Sequence, residues 1–149
     1  MLRRELLQYL ASGSALLFGL FKPLSALAKW NQEAFDATDY NHAINSYFPG
    51  QQFEETDQIK IGVHPEVENG AVVPVKINTE LPSLESITIF VDKNPTPLIA
   101  NFDLSPGCVG FVSTRIKMEV PSDIIVIVKS KGTFFSTKTF VEVHEGGCG

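Results

Sequence analysis

The stretch Ile124-Ile125-Val126-Ile127-Val128 is continuously apolar, which is the pattern of a β-strand buried on both faces. Before it, apolar and polar residues alternate with a period of two in five short runs, which is typical of strands with one buried face. These runs begin near residues 59, 73, 87, 98 and 111, and a last run covers residues 134–143. The chain is therefore predicted to contain about seven strands.

Turn sequences that contain proline, glycine or asparagine separate these runs at near-regular spacing. Seven short strands with such turns predict an all-β fold, an immunoglobulin-like β-sandwich over residues 58–143. Pro74 falls inside one run, which predicts a strand edge or a bulge because proline cannot donate to a strand ladder. The predicted core consists of the inward-facing residues Ile61, Val75, Ile89, Phe102, Ile116, Val126 and Val141.

Residues 1–28 have the features of a cleaved signal peptide. Arg3 and Arg4 precede a mostly apolar run over residues 10–21, and Ala26-Leu27-Ala28 is a typical cleavage site. The run is shorter than the roughly 20 residues that a membrane-spanning helix needs. Paired arginines before two leucines look like a twin-arginine (Tat) signal, which exports folded proteins. We expect a periplasmic protein without a membrane segment in its mature form and, because no cofactor site is visible, co-export with a partner subunit.

Residues 29–57 form an N-terminal segment that is predicted to be partly helical. A short helix, capped by Asp36 or Thr38, is expected to run to about Tyr47. Pro49-Gly50 is expected to stop it.

The charge of the chain argues against one class of partner. Removing residues 1–28, which hold Arg3, Arg4 and Lys22 against Glu5, changes the net charge from −5 to −7. An acidic protein is poorly suited to nucleic acid, because that affinity comes from lysine and arginine neutralising phosphates. No nucleic-acid partner is expected, and the acidity favours solubility and steering towards basic surfaces.

The C-terminal segment His144-Glu145-Gly146-Gly147-Cys148-Gly149 carries the chemistry. A cysteine flanked by three glycines at a terminus is unsuited to a packed core, and glycine maximises backbone freedom. Residues 144–149 are predicted to be a flexible carrier arm, with Gly146, Gly147 and Gly149 as arm residues and Cys148 as the site of covalent attachment. At full extension the sulfur would reach roughly 16–18 Å beyond Val143.

The surroundings of Cys148 suit a carrier rather than an enzyme. The thiolate is the reactive form of cysteine, and the carboxylates of Glu142 and Glu145 should disfavour it, whereas a protonated His144 would favour it. An enzyme nucleophile needs a base within hydrogen-bond reach and a group that orients the base. The sequence shows no such set, so we expect partner enzymes to supply the catalytic groups.

Several alternatives stay open. In an oxidising compartment Cys148 could form a structural disulfide with Cys108, in an exported binding module without a carrier function. Cys108 could also be a buried, free cysteine. The histidines lack the close spacing of zinc ligands, so neither a metal nor another cofactor is expected. Arg115 and Lys117 lie on one face of an alternating strand, which is typical of a solvated surface rather than an anion site.

The terminal Gly-Gly-Cys-Gly is similar to the Gly-Gly-Cys-Gly-Gly end of the SoxY family, the carrier subunits of the Sox sulfur-oxidation system. Two internal stretches, residues 68–75 and 113–118, also resemble that family, as do the leader and the sandwich length. The resemblance covers essentially the whole chain. Two departures are the absence of the last glycine and the presence of Cys108.

The resemblance implies a function and partners. Members of the SoxY family pair with SoxZ, a sandwich subunit without its own signal, which fits co-export as a heterodimer. A SoxAX-type haem enzyme would join thiosulfate oxidatively to Cys148 as an S-thiosulfonate, and a SoxB-type hydrolase would release sulfate. A SoxCD-type enzyme would oxidise the remaining persulfide sulfur. The chain would thus be a carrier and not itself an enzyme.

Overall fold

A computed structural model describes residues 31–147 of the chain. The predicted signal peptide, Cys148 and Gly149 lie outside the described residues. Two short helices come first, α1 (Gln32–Asp36) and α2 (Tyr40–Tyr47). Asp39 caps α2, because its side chain accepts the His42 N–H at 3.0 Å. The predicted caps of this helix were therefore wrong by one and three positions.

Nine strands follow within the described residues, two more than the sequence predicted. They are β1 (Glu54–Glu55), β2 (Ile59–Gly62), β3 (Glu66–Asn69), β4 (Val73–Thr79), β5 (Leu84–Val91), β6 (Leu98–Asp103), β7 (Phe111–Ile116), β8 (Ser122–Ser130) and β9 (Thr133–Glu145). The additional strands are β1, which lies inside the segment predicted to be helical, and β3.

The strands form two sheets, and the predicted sandwich is confirmed. The larger sheet has the order β1-β9-β8-β5-β6, and β3 also pairs with β9. The smaller sheet has the order β2-β4-β7 and is antiparallel. Both additional strands pair in parallel with β9, β1 near its start and β3 at its end. Strand β9 therefore connects the far end of the chain to two earlier segments.

The core between the sheets contains the predicted residues. Val75, Ile89, Ile116, Val126 and Val141 are buried. The other two, Ile61 and Phe102, are only partly buried and pack at its periphery. The predicted core was thus correct for the five residues at its centre, whereas Ile61 and Phe102 lie at its edge.

The two helices cover part of the outer face of the larger sheet. There Phe48, at the end of α2, packs with Phe90 and Ile127 in a second apolar cluster. Within the run 124–128, Val126 points into the sandwich core and Ile127 into this cluster. The expectation of a strand buried on both faces is confirmed.

Pro74 lies in β4, the central strand of the smaller sheet. It pairs with Arg115 of β7, but the ladder between β4 and β2 covers only Lys76 to Thr79. Pro74 therefore has no β2 partner, which is how a proline is tolerated in this strand.

Candidate functional site

The last strand continues further than the sequence suggested. β9 ends at Glu145 rather than near Val143, because β3 extends its ladder as far as the pair of Asn69 and Glu145. The Gly70 N–H also donates to the Glu145 carbonyl at 2.7 Å. The boundary of the predicted arm at His144 was therefore two residues too early.

Gly146 and Gly147 lie against the protein body. The Gly147 N–H donates to the Met118 carbonyl oxygen at 3.0 Å. A Cβ on Gly147 would overlap the backbone of Ala71, and a Cβ on Gly146 would lie 2.5 Å from the Glu119 carbonyl oxygen. These glycines therefore allow a close approach of two backbones, a role that the sequence analysis did not assign to them.

The surface under the tail is itself held by buried polar contacts. The Met118 N–H donates to the Gly70 carbonyl at 2.8 Å, which joins the two backbone segments that the tail contacts. Asn94 is buried; its side chain donates to the Lys117 carbonyl at 2.7 Å and accepts from the Glu119 N–H at 3.0 Å. Asn94 thus fixes the segment on either side of Met118, a role that no local pattern of residues indicates.

The charged groups near the tail are mainly acidic. The sequence placed Glu142 and Glu145 near the tail, and the structure adds a third carboxylate, that of Glu119. Its Oε1 atom would lie 3.3 Å from a Cβ at Gly146. His144 is exposed at the end of β9. Carboxylates disfavour a thiolate that comes near them.

Cys108 lies at the other end of β7 from Met118. It is exposed and free, so the alternative of a buried cysteine is wrong. It precedes β7 in a loop after Gly107, whose φ of 88° suits glycine, and the Cys108 N–H donates to the Ser105 carbonyl at 3.1 Å. The neighbouring groove, about 750 Å³, contains Leu84 and Lys131.

A disulfide between Cys108 and Cys148 conflicts with this placement. β7 alone, residues 111–116, spans roughly 17 Å at the rise of a β-strand. Gly147 is hydrogen-bonded to Met118, which follows the end of β7 opposite to Cys108. The step from Gly147 to the next residue adds only about 3.8 Å. A disulfide needs Cα atoms within about 7 Å, so this pairing would require the tail to leave its position.

A second groove, about 860 Å³, lies beside α2 on the outer face of the larger sheet. Burial, and secondly the Asp92 carboxylate, raise the pKa of Tyr40 at its wall, so this phenol stays protonated at neutral pH. Lys138 and Asp123 form an ion pair at 3.1 Å in the same groove.

Two negative findings concern residues 31–147. This part of the chain contains no group of three or more histidine, cysteine, aspartate or glutamate side chains arranged to hold a metal ion. No helix in the same range is long and apolar enough to cross a membrane.

Comparisons with known proteins agree with the geometry. The family model described as "Sulfur oxidation protein SoxY" matches residues 44–148. The sulfur carrier protein SoxY from Chlorobium limicola f thiosulfatophilum has a similar structure, with 32% identity and a TM-score of 0.63, over 69% of this chain and 94% of that one. A superoxide reductase (neelaredoxin) from Ignicoccus hospitalis shares the fold at 13% identity and a TM-score of 0.55, over 61% and 94%. A search of curated proteins finds no match.

Proposed function

This chain belongs to the SoxY family of sulfur oxidation proteins, and on that basis we propose that it carries thiosulfate-derived sulfur covalently on Cys148. The observation that carries the proposal is the family match, which extends to residue 148 and so includes the cysteine of the Gly-Gly-Cys-Gly tail. The similar Chlorobium structure is that of a sulfur carrier protein. The acidic surroundings of the tail support a carrier over an enzyme nucleophile.

The proposed cycle needs one thiol and external catalysts. Oxidative coupling of the Cys148 thiol with thiosulfate gives an S-thiosulfonate and releases one proton and two electrons, which a SoxAX-type haem enzyme accepts. Hydrolysis by a SoxB-type enzyme adds water, releases sulfate and two protons, and leaves a persulfide anion. A SoxCD-type enzyme then oxidises the persulfide sulfur. The chain itself binds no cofactor in this cycle.

The arm in this proposal consists of Gly146, Gly147, Cys148 and Gly149. Because β9 continues to Glu145, only Gly146 and Gly147 separate the strand from the cysteine, and the three residue steps from Glu145 to Cys148 span roughly 10 Å when the tail is extended. This reach is shorter than the sequence analysis expected, so a partner enzyme must approach the protein body closely. Gly146 adds no side chain that would obstruct entry into a narrow cavity.

The proposed setting is the periplasm. A Tat signal at residues 1–28 exports the chain together with a SoxZ-like subunit, with which it forms a heterodimer. An acidic surface suits weak, transient encounters with several enzymes, since charge complementarity affects the rate of association more than the final affinity.

Intact mass spectrometry of the protein from thiosulfate-grown cells tests the proposal. We expect thiosulfonate and persulfide adducts that a reductant removes. Cys148→Ser should abolish them, whereas the matched variant Cys108→Ser should retain them. Adducts that persist in Cys148→Ser, or a single species with a disulfide between Cys108 and Cys148, would refute the carrier and favour the exported binding module.

A further inference from the structure

The outer face of the smaller sheet presents a set of exposed residues that share one side of three strands. Burial alternates strictly along β4, and its exposed positions pair with exposed positions of β2 and β7. Paired residues of neighbouring strands point to the same side of a sheet. We call this set the basic face: Lys60, Gly62, Pro74, Lys76, Asn78, Phe111, Ser113 and Arg115.

The charges of the basic face have one sign. Lys60, Lys76 and Arg115 are its charged members, and none of the eight residues is an acid. Lys60 pairs with Asn78 and Arg115 with Pro74, so each lies diagonal to Lys76, at roughly 7 Å. The three cations thus form a diagonal row on a chain whose net charge is −5.

Apolar groups flank this row. Phe111 is 53% exposed at one end of the basic face, and Val72, which precedes β4, is 55% exposed at the other. The helices α1 and α2 cover an apolar surface of the larger sheet, but the cluster that they form includes no residue of the smaller sheet. The exposed apolar groups offer contact area to a partner, and the charges of one sign beside them can steer an acidic one.

The basic face ends where the tail is bound. Met118, which accepts the Gly147 N–H, follows Arg115 by three residues, and Ala71, beside Gly147, precedes Pro74 by three. Three residue steps span at most roughly 10 Å, which does not exceed the proposed reach of the arm. A protein bound to this face would therefore have Cys148 within reach.

We propose that the basic face is the docking surface for the enzymes that process the loaded cysteine. The proposal rests on the proposed carrier function. The complementary surface is acidic, with carboxylates around an apolar contact, and it borders the entrance of the partner's active site. Cations on the rim of such an interface steer association, so their main effect falls on the association rate.

The test measures sulfate release by the SoxB-type hydrolase of the same host. A Cys108→Ser background confines loading to Cys148, and tetrathionate loads it by exchange: the thiolate takes a thiosulfonate group and thiosulfate leaves. Mass spectrometry verifies complete loading of each variant before the enzyme is added. At low ionic strength, Lys76→Glu with Arg115→Glu should lower kcat/KM on the order of tenfold or more.

Two matched controls separate this effect from general ones. Lys131→Glu with Lys138→Glu changes the net charge equally, at exposed positions outside the basic face, and should leave kcat/KM within about twofold. Phe111→Ser should lower kcat/KM, whereas Phe140→Ser, at 54% exposure on β9, should not. The effect of the charge reversal should shrink at about 1 M salt, where the Debye length is about 3 Å.

The other outcomes are distinguishable. If the double variant Lys76→Glu with Arg115→Glu and its charge-matched control have equal kcat/KM, the proposed docking surface is wrong, and the carrier function is unaffected. Loss of a co-purified subunit from that variant would also overturn it, because the face would then be a subunit interface. Absence of sulfate from loaded wild-type protein would overturn the carrier function and this inference together.

Discussion

Replacing Gly147 by alanine tests whether the tail is bound to the body through its glycines. The added methyl group would overlap the backbone of Ala71, which cannot move aside as a flexible side chain could. We expect the tail to leave its position, and the hydrogen bond from Gly147 to the Met118 carbonyl, 3.0 Å in length, to be lost.

The magnitude follows from that single hydrogen bond. A backbone hydrogen bond contributes about 1 kcal/mol net, which corresponds to roughly fivefold more bound than released tail. In wild-type protein the released form would then be about one sixth of the population, and in Gly147→Ala nearly all of it. Any property that depends on the released form should rise about sixfold. The free energy of global unfolding should change by less than about 1 kcal/mol, because the tail can leave without disturbing the core.

Two measurements in a Cys108→Ser background check this expectation. Amide hydrogen exchange at residue 147 should be protected in wild-type protein and unprotected in Gly147→Ala. Alkylation of Cys148 by a small reagent should be about sixfold faster in Gly147→Ala. Gly62→Ala is the control, since its Cβ would meet only Lys76, at an ordinary 3.5 Å. Unchanged protection at residue 147 in Gly147→Ala would show that the reasoning is wrong.

Three further changes test the structure around the tail. Gly70→Ala should destabilise the protein by about 1–3 kcal/mol in denaturant unfolding, because its Cβ would overlap the Met118 carbonyl inside the body. Asn94→Ala should cost about 2–3 kcal/mol in the same assay and also reduce amide protection at the tail, because two buried hydrogen bonds are lost. Glu85→Gln should lower the free energy of unfolding near neutral pH, and this difference from wild type should shrink as the pH falls below 4.5, since the Lys129 hydrogen bond lowers the pKa of Glu85.

The sign of the Glu85 effect and the controls are specific. A carboxylate with a lowered pKa stabilises the folded state above its unfolded pKa, and this contribution disappears as the pH falls through the folded pKa. A difference between wild type and Glu85→Gln that grew below pH 4.5 would contradict the assignment. Gly132→Ala is the control for Gly70→Ala, because a Cβ added at Gly132 would lie in open space. Since φ at Gly132 is 78°, only backbone strain should lower the free energy of unfolding, by about 1 kcal/mol. An Asn94→Ala variant as stable as wild type would contradict its role.

The sequence was sufficient for the seven principal strands because each buries a side-chain pattern that is visible locally. The alternation in β4 and the continuous run in β8 both correspond to burial in the structure. The strands β1 and β3 were missed for a physical reason. They are short, rich in exposed glutamate and attached to β9 by backbone hydrogen bonds, so nothing in their side chains indicates the partner.

The tail shows the same limit. The position of Cys148 among glycines could be read directly, and it led to the family. The close packing of Gly147 against Ala71 could not be predicted from the sequence. A contact between two backbone segments far apart in the chain requires no particular residue type other than glycine. Glycine permits both free motion and close approach, and only the fold distinguishes the two. The alternative of a buried Cys108 rested on the general tendency of free cysteines to be buried, whereas the loop that precedes β7 leaves this cysteine exposed.

A carrier tail must satisfy two opposing requirements, and the binding expected from one hydrogen bond at Gly147 meets both. The tail has to leave the body to enter an enzyme, so each kilocalorie that holds it reduces the apparent affinity for that enzyme by roughly fivefold. One hydrogen bond at Gly147 imposes about that penalty, whereas three equivalent bonds would impose more than a hundredfold penalty. Larger residues in place of Gly146 and Gly147 would remove the contact altogether, because both positions touch backbone. The glycines therefore keep the proposed arm close to the basic face at a cost that a partner cavity can readily offset.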